Sequence, residues 1–227
     1  MNKAQFEKIE QYMHTCMADS AHDREHVYRV LNSALTIAQT EQGVDMDVLV
    51  FACLLHDIGR QAQFADPAKC HARVGSDMAY QFLLDNGYSE AFSQRVRDCI
   101  STHRFRMDHP PRSIEAKILF DADKLDVAGA MGIARTLLYQ GYVSTPLYTR
   151  GADGQVLDGS SGEADSFFQE YKFKLENMYD RFYTQEGRRL ALERKQVAVS
   201  FYESLLKEVR ESDSLGKAAL EAMLQNA

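Results

Sequence analysis

Apolar residues recur at intervals of three and four along nearly the whole chain, and the strict alternation of a half-buried strand is missing. Phe6, Ile9, Met13, Cys16 and Met17 form one such stripe and predict an amphipathic helix over residues 3–17. A second stripe, His26, Val27, Val30, Leu31, Ala34 and Ile37, predicts a helix capped by Asp23 and stopped at Gly43, with His26 on its inward side. The segment Met46 to His56 carries almost nothing polar between Val48 and Leu55, so its helix is expected to be buried on most sides. Further helices are predicted over residues 67–86, from Pro67 to a stop at Gly87, and over 90–103 behind the cap Ser89. Another follows the Pro110-Pro111 breaker, with Ser113 as cap, and runs through Asp123. Phe167, Phe168, Tyr171, Leu175, Met178 and Phe182 predict one helix, and Thr184 caps another through Leu190, Val197, Phe201 and Leu205. The predicted fold class is all-α.

Two stretches break this regularity. Ala128, Gly129, Ala130 and Gly132 crowd the segment 127–135, where each glycine costs a helix interior about 1 kcal/mol against alanine. The compensation expected is close backbone approach, by a neighbouring helix or by substrate. Residues 142–165, with Gly151, Gly154, Gly159 and Gly162 and few apolar anchors, predict a flexible loop, either a lid or a surface excursion. The predicted organisation is a helical core over 1–141, this loop, and C-terminal helices over 166–227 packed on the core.

Charge removes some classes of function. The 33 acidic against 26 basic side chains leave a formal charge of -7, which disfavours binding to a nucleic-acid backbone. Cys16, Cys53, Cys70 and Cys99 are widely spaced on apolar faces and read as reduced core residues, which points to a reducing, cytoplasmic compartment. The opening segment is amphipathic and charged rather than a leader, and no stretch reaches the roughly 20 apolar residues of a membrane span. No membrane partner is expected, and oligomeric state is left undetermined.

His56-Asp57 closes the most apolar helix of the chain. An imidazole and a carboxylate buried there need a partner, and one divalent cation satisfies both. His26 upstream and Asp123 downstream supply further ligands, giving the order H…HD…D. Two imidazoles and two carboxylates are a mixed nitrogen and oxygen set suited to Mn²⁺, with Mg²⁺, Fe²⁺, Co²⁺ or Ni²⁺ as alternatives. Such a set leaves coordination positions open, whereas a structural zinc site would be closed and rich in cysteine.

The local strings His26…Arg29-Val30, His56-Asp57-Ile58-Gly59 and Ala122-Asp123-Lys124-Leu125-Asp126 resemble the HD-domain superfamily of metal-dependent phosphohydrolases. The stretch from Glu115 to Arg135 is similar to one subgroup of small bacterial members that includes nucleotide pyrophosphohydrolases. The resemblance covers roughly residues 20–140 and implies a single HD-domain helical bundle with a C-terminal helical extension. It also selects Asp123 as the ligand; Asp126, three residues on and near the same helix face, is an alternative ligand, an outer-shell acid or a base.

The resemblance implies hydrolysis of a small phosphorylated metabolite. A nucleoside or deoxynucleoside triphosphate cut to monophosphate and pyrophosphate leads. Phosphomonoester hydrolysis, cyclic-nucleotide cleavage and a non-catalytic nucleotide-binding regulator are the alternatives. The metal ligands are then His26, His56, Asp57 and Asp123, with Asp57 also orienting the attacking water. His71 and His103 sit in the order by which dinuclear members hold a second metal, and in mononuclear members such positions contact phosphate or shuttle a proton. The working expectation is one metal, with His71, His103 and Lys124 acting on the phosphate. Arg29, Arg104, Lys172 and Lys174 are the candidate substrate contacts. His22, close to the ligand helix, receives no role.

Overall fold

Polar caps start most of the helices, and apolar stripes then bury them. A computed structural model describes residues 1–17, 24–104, 109–162 and 165–225; the expected cap Asp23, and His22, lie outside them. Helix α1 (Lys3–Cys16) begins on Asn2 with a reciprocal capping box to Gln5. Helix α2 (Arg24–Ala38) buries His26 with Val27, Val30, Leu31, Ala34 and Ile37. Asp45 caps α3 (Met46–Leu55) by accepting from the amides of Asp47 and Val48. Every residue from Val48 to Leu55 is buried, because α3 packs against α1, α2, α5 (His71–Asp85), α6 (Glu90–Ser101) and α7 (Ile114–Leu125). Ser89 and Ser113 cap α6 and α7 as expected. The fold is all-α: among the described residues no strand forms, and the one isolated β-bridge joins Arg150 to Val156.

The structure corrects three helix boundaries. The segment expected as one helix over 67–86 starts only at His71, behind Cys70 in an extended conformation, and a short helix α4 (Arg60–Ala65) precedes it. Helix α4 buries none of its residues, so it leaves no apolar period to detect. The helix expected to run through the Asp123 motif ends at Leu125; α8 (Gly129–Tyr142) starts afresh at Gly129, whose φ of +65° suits glycine. A Cβ there would stand 2.8 Å from Arg194 Cβ, which is the close helix approach expected of these glycines. The third correction concerns residues 167–182. They form α9 (Phe167–Glu170) and a π turn (Tyr171–Leu175), not one helix. The Asn177 side chain donates to the Lys172 carbonyl at 2.6 Å and diverts a helical acceptor. Helix α10 (Gln185–Gln225) follows, and its first turn is held by Thr184 Oγ1 accepting from the Gly187 amide.

Residues cluster into two compact units, Met1–Asp126 with Phe182–Arg189, and Val127–Arg181 with Leu190–Ala227. The first contains α1 to α7. In the second, the core is aromatic: Tyr171 stacks on Tyr202 with ring centres 4.0 Å apart, and Phe167 and Phe168 are fully buried. The irregular stretch before α9 is tied down within this unit, since Tyr202 donates its hydroxyl to the Asp158 carbonyl and the Phe167 amide donates to Pro146. No helix among the described residues is long and apolar enough to cross a membrane.

Candidate metal centre

Five helix ends of the first unit converge on one point. His56 and Asp57 follow the last turn of α3, His26 comes from the first turn of α2, and His71 is the first residue of α5. His103 follows α6, and Asp123 lies in the last turn of α7. Gly59 makes this convergence possible. A Cβ at Gly59 would overlap the His71 carbonyl oxygen and the Gly75 amide, so only glycine lets the first turns of α5 lie against the chain that carries His56 and Asp57. Gly59→Ala is expected to destabilise the protein by about 2–3 kcal/mol through overpacking. Urea unfolding measures this, and an unchanged midpoint would show that α5 shifts at no cost.

Each of the four histidines turns its Nδ1 outward to an acceptor. His56 Nδ1 donates to the Cys53 carbonyl at 2.8 Å, and His103 Nδ1 to the Ile100 carbonyl at 2.6 Å. His26 Nδ1 donates to Asp126 Oδ2 at 2.7 Å, and His71 Nδ1 to Gln63 Oε1 at 2.5 Å. Carbonyl and carboxylate oxygens only accept, so each neutral ring carries its proton on Nδ1 and leaves Nε2 bare. The bare nitrogens then face one another: His26 and His56 Nε2 are 3.3 Å apart, as are those of His71 and His103.

Asp57 lies between the two pairs. Its Oδ2 is 3.5 Å from His26 Nε2 and 3.7 Å from His56 Nε2, while its Oδ1 is 3.5 Å from His71 Nε2 and 3.6 Å from His103 Nε2. Asp123 Oδ1 completes the first group at 3.4 Å from His26 Nε2. Two lone pairs at these distances repel each other unless something positive stands between them. Donor atoms bound about 2.1 Å from one ion are separated by about 3.0 Å in an octahedron and about 3.4 Å in a tetrahedron. The observed spacings of 3.3–3.7 Å lie at or slightly above the tetrahedral value, and the donor set fits a divalent cation. Two groups have the required proximity, His26, His56 and Asp123, and Asp57, His71 and His103, with ligand atoms in each within 4.8 Å of one another.

Electrostatics keep Asp57, Asp123, His56 and His71 in their binding forms. Burial favours neutral Asp57, but His56 and the Arg60 guanidinium outweigh it and hold the carboxyl well below the usual range. Asp123 is likewise held low, with Lys124 and His26 overcoming burial. Burial depresses His56 to about 4, and burial with the adjacent Arg60 charge depresses His71 to about 2, so both rings are neutral near pH 7. His26, opposed by burial, is raised by Asp123 and Asp57.

The other residues singled out in the sequence fall in different places. Lys124 Nζ is 3.6 Å from Asp123 Oδ2 and 5.2 Å from the Phe120 ring centre. Arg104 donates to Cys70 Sγ at 3.7 Å, beside His71. Arg29 clasps Asp126 through Nε at 2.6 Å and Nη2 at 3.1 Å. Lys172 and Lys174 belong to the second unit, where they pair with Glu176 and Glu170 one turn away. Asp121 is buried and accepts from the amides of Tyr183 and Thr184 and from the Thr184 hydroxyl. Two contributors were not singled out: Gln63, which orients His71, and Arg60, whose Nε donates to Asp57 Oδ1 at 2.9 Å. The i, i+3 spacing of Asp57 and Arg60 was the available signal.

Asp126, an open alternative in the sequence, fixes the ring of His26 from behind while Arg29 fixes Asp126. Removing such an outer carboxylate typically weakens metal affinity 10- to 100-fold. Asp126→Ala is expected to fall in that range when Mn²⁺ is titrated against a chelator. Unchanged affinity would mean that helix packing alone orients His26.

Comparison with known proteins agrees with this geometry. Residues 24–128 match the model of the HD domain family. YpgQ of Bacillus subtilis (strain 168) is 29% identical over 211 residues, covering 90% of this chain and 94% of its own. The crystal structure of YpgQ in complex with ADP superposes with a TM-score of 0.68 at 27% identity, covering 90% of this chain and 95% of that one. A predicted HD superfamily hydrolase from an uncultured Thermotogales bacterium gives 0.59 at 28% identity, with 91% and 92% covered. Residues 24–128 thus match the HD domain over the stretch whose ligand pattern gathers at one point, and the chain is similar in fold to a predicted HD superfamily hydrolase.

Proposed function

We propose that the protein is a divalent-metal-dependent phosphohydrolase that cleaves a nucleoside or deoxynucleoside triphosphate to the monophosphate and pyrophosphate, with Mn²⁺ as the preferred ion. The carrying observation is the buried assembly of four bare imidazole nitrogens and two carboxylates that face one another. His26, His56, Asp57 through Oδ2, and Asp123 would hold the ion. When bound, it supplies Lewis-acid charge for a phosphoryl oxygen and lowers the pKa of a coordinated water. The ADP complex of YpgQ supports a nucleotide ligand for a relative of this length and fold.

The remaining residues divide the work on the substrate. The bare Nε2 atom of His103 accepts the proton of the attacking water, the Ile100 carbonyl keeps that ring in the tautomer that can do so, and the neutral His71, oriented by Gln63, stands beside it. A bond forms from the water oxygen to the α-phosphorus as the bond to the pyrophosphate oxygen breaks. Lys124 and Arg104 place positive charge beside the ligands to stabilise the phosphate oxygens. Lys172 and Lys174, currently paired with glutamates, remain candidate phosphate contacts, and Arg29 acts through Asp126.

Incubation with Mn²⁺ and a panel of nucleoside mono-, tri- and cyclic phosphates, with products resolved by ³¹P NMR, tests this reading. Pyrophosphate with monophosphate is the expected pair. Orthophosphate from monophosphates would make the enzyme a phosphomonoesterase, and monophosphate from the cyclic substrate a phosphodiesterase. Binding without turnover of any compound would make the chain a regulator.

A further inference from the structure

We infer that Phe64 is the nucleobase platform of the substrate site: its ring, at the edge of the donor cluster, stacks on the base of the bound nucleotide. This rests on the nucleotide-hydrolase reading above and adds to it the side chain that takes the end of the substrate away from the phosphates. Helix α4 carries the argument. It buries none of its residues, and a helix of six residues does not hold together on its own propensity. Its side chains are tied to the donor cluster, since Arg60 Nε donates to Asp57 Oδ1 at 2.9 Å and Gln63 Oε1 accepts from His71 Nδ1 at 2.5 Å. Those ties place Phe64. It follows Arg60 by four residues, so the two are neighbours on the helix surface one turn apart, and it adjoins Gln63 in sequence.

A single exposed apolar residue is ordinary on a protein surface; the position of this one sets it apart. Among the described residues of the first unit, Phe64 is the most open large apolar side chain, at 57% exposure. The others lie elsewhere: Met1 and Met46 stand at the start of α3, the end opposite His56, and Tyr183 packs on Phe120. A nucleoside triphosphate has two unlike ends. Its phosphates take the cation and the positive side chains, whereas its base is flat and apolar on both faces and is matched by an aromatic ring. A phenyl ring has no donor or acceptor to read a base edge, so the contact serves every base alike and contributes affinity without base selectivity.

Fluorescence tests this without any turnover. The chain has no tryptophan, so full-length Phe64→Trp carries a single reporter at the position in question. It is titrated, with Mg²⁺ present, with a nucleoside triphosphate whose α,β-bridging oxygen is replaced by methylene, and separately with inorganic tripolyphosphate. The nucleotide is expected to quench the emission and tripolyphosphate to bind without quenching it. By isothermal titration, Phe64→Ala is expected to weaken the methylene nucleotide by roughly 10- to 100-fold for adenine and cytosine alike, while Phe64→Tyr keeps wild-type affinity and tripolyphosphate binds all forms equally. Because α4 buries none of its residues, these substitutions open no cavity. Unchanged nucleotide affinity in Phe64→Ala would overturn the inference and leave the nucleotide reading intact. An equal loss for nucleotide and tripolyphosphate would also overturn it, by showing that the residue acts on α4 and not on the base. Wild-type protein that binds no nucleotide would overturn the inference together with the reading it rests on.

Discussion

Asp57→Asn is expected to abolish nucleotide hydrolysis and to weaken Mn²⁺ binding by more than about 100-fold, the upper end of what loss of an outer-shell partner costs a metal site. The substitution conserves shape and changes charge. It removes the negative charge that faces the His26 and His56 pair and pairs with Arg60, and it leaves a single amide oxygen to accept at one of the two positions. An amide nitrogen placed at either position can donate to one imidazole Nε2, so the fold should survive where cation binding does not. Isothermal titration of stripped protein with Mn²⁺ reads the affinity, and circular dichroism confirms the fold. Retained affinity in Asp57→Asn would show that the two histidine pairs bind no ion through this residue.

Asp121→Ala should produce the largest loss of stability, about 3–4 kcal/mol, while leaving the metal site in place. This carboxylate is wholly buried and accepts from the Thr184 hydroxyl at 2.7 Å, the Thr184 amide at 2.7 Å and the Tyr183 amide at 2.9 Å. Two opposing quantities decide the size. Burial penalises the charge and raises its pKa despite those donors, so alanine relieves part of that cost. Against this stand three hydrogen bonds to a charged acceptor, each contributing about 1.5–3 kcal/mol, and donors left without a partner. The second quantity is larger. The loss also frees the entry to α10, where Thr184 Oγ1 accepts from the Gly187 amide and Tyr183 packs on Phe120 with ring centres 5.0 Å apart. At this chain length the midpoint of thermal unfolding should fall by roughly 6–16 °C, at 2–4 °C per kcal/mol. A drop below about 2 °C would mean that the segment 182–189 is held by packing and not by Asp121.

The helices around the site were legible because their apolar stripes have the helical period and their caps are short polar side chains. Val48 to Leu55 announces burial on all sides, and Ser89, Ser113 and Thr184 mark starts that the structure keeps. Helix α4 escaped because none of its residues is buried, and with it went Arg60 and Gln63, which touch Asp57 and His71. The break at Asp126 to Gly129 escaped for a different reason. Ala, Gly and Met continue a helical composition there, and only the φ of +65° at Gly129 and the approach of Arg194 reveal the turn. The π turn at Tyr171–Leu175 keeps the apolar spacing of a helix while changing its hydrogen bonds, so periodicity alone cannot register it. In the site, residue types and order pointed to a cation. The outward hydrogen bonds of all four Nδ1 atoms, which bare the four Nε2 lone pairs, depend on the three-dimensional positions of Cys53, Ile100, Gln63 and Asp126.

Metal-edge X-ray absorption of stripped protein reloaded with one equivalent of Mn²⁺ probes the cation and its ligands together. The expected spectrum has a mixed nitrogen and oxygen shell near 2.1–2.2 Å, roughly the range of nitrogen and oxygen bonds to such ions, with the multiple-scattering pattern of two imidazoles, and it loses that pattern in His26→Ala/His56→Ala. An all-oxygen shell without imidazole scattering would place the ion on surface carboxylates and contradict a metal centre built from His26, His56, Asp57 and Asp123.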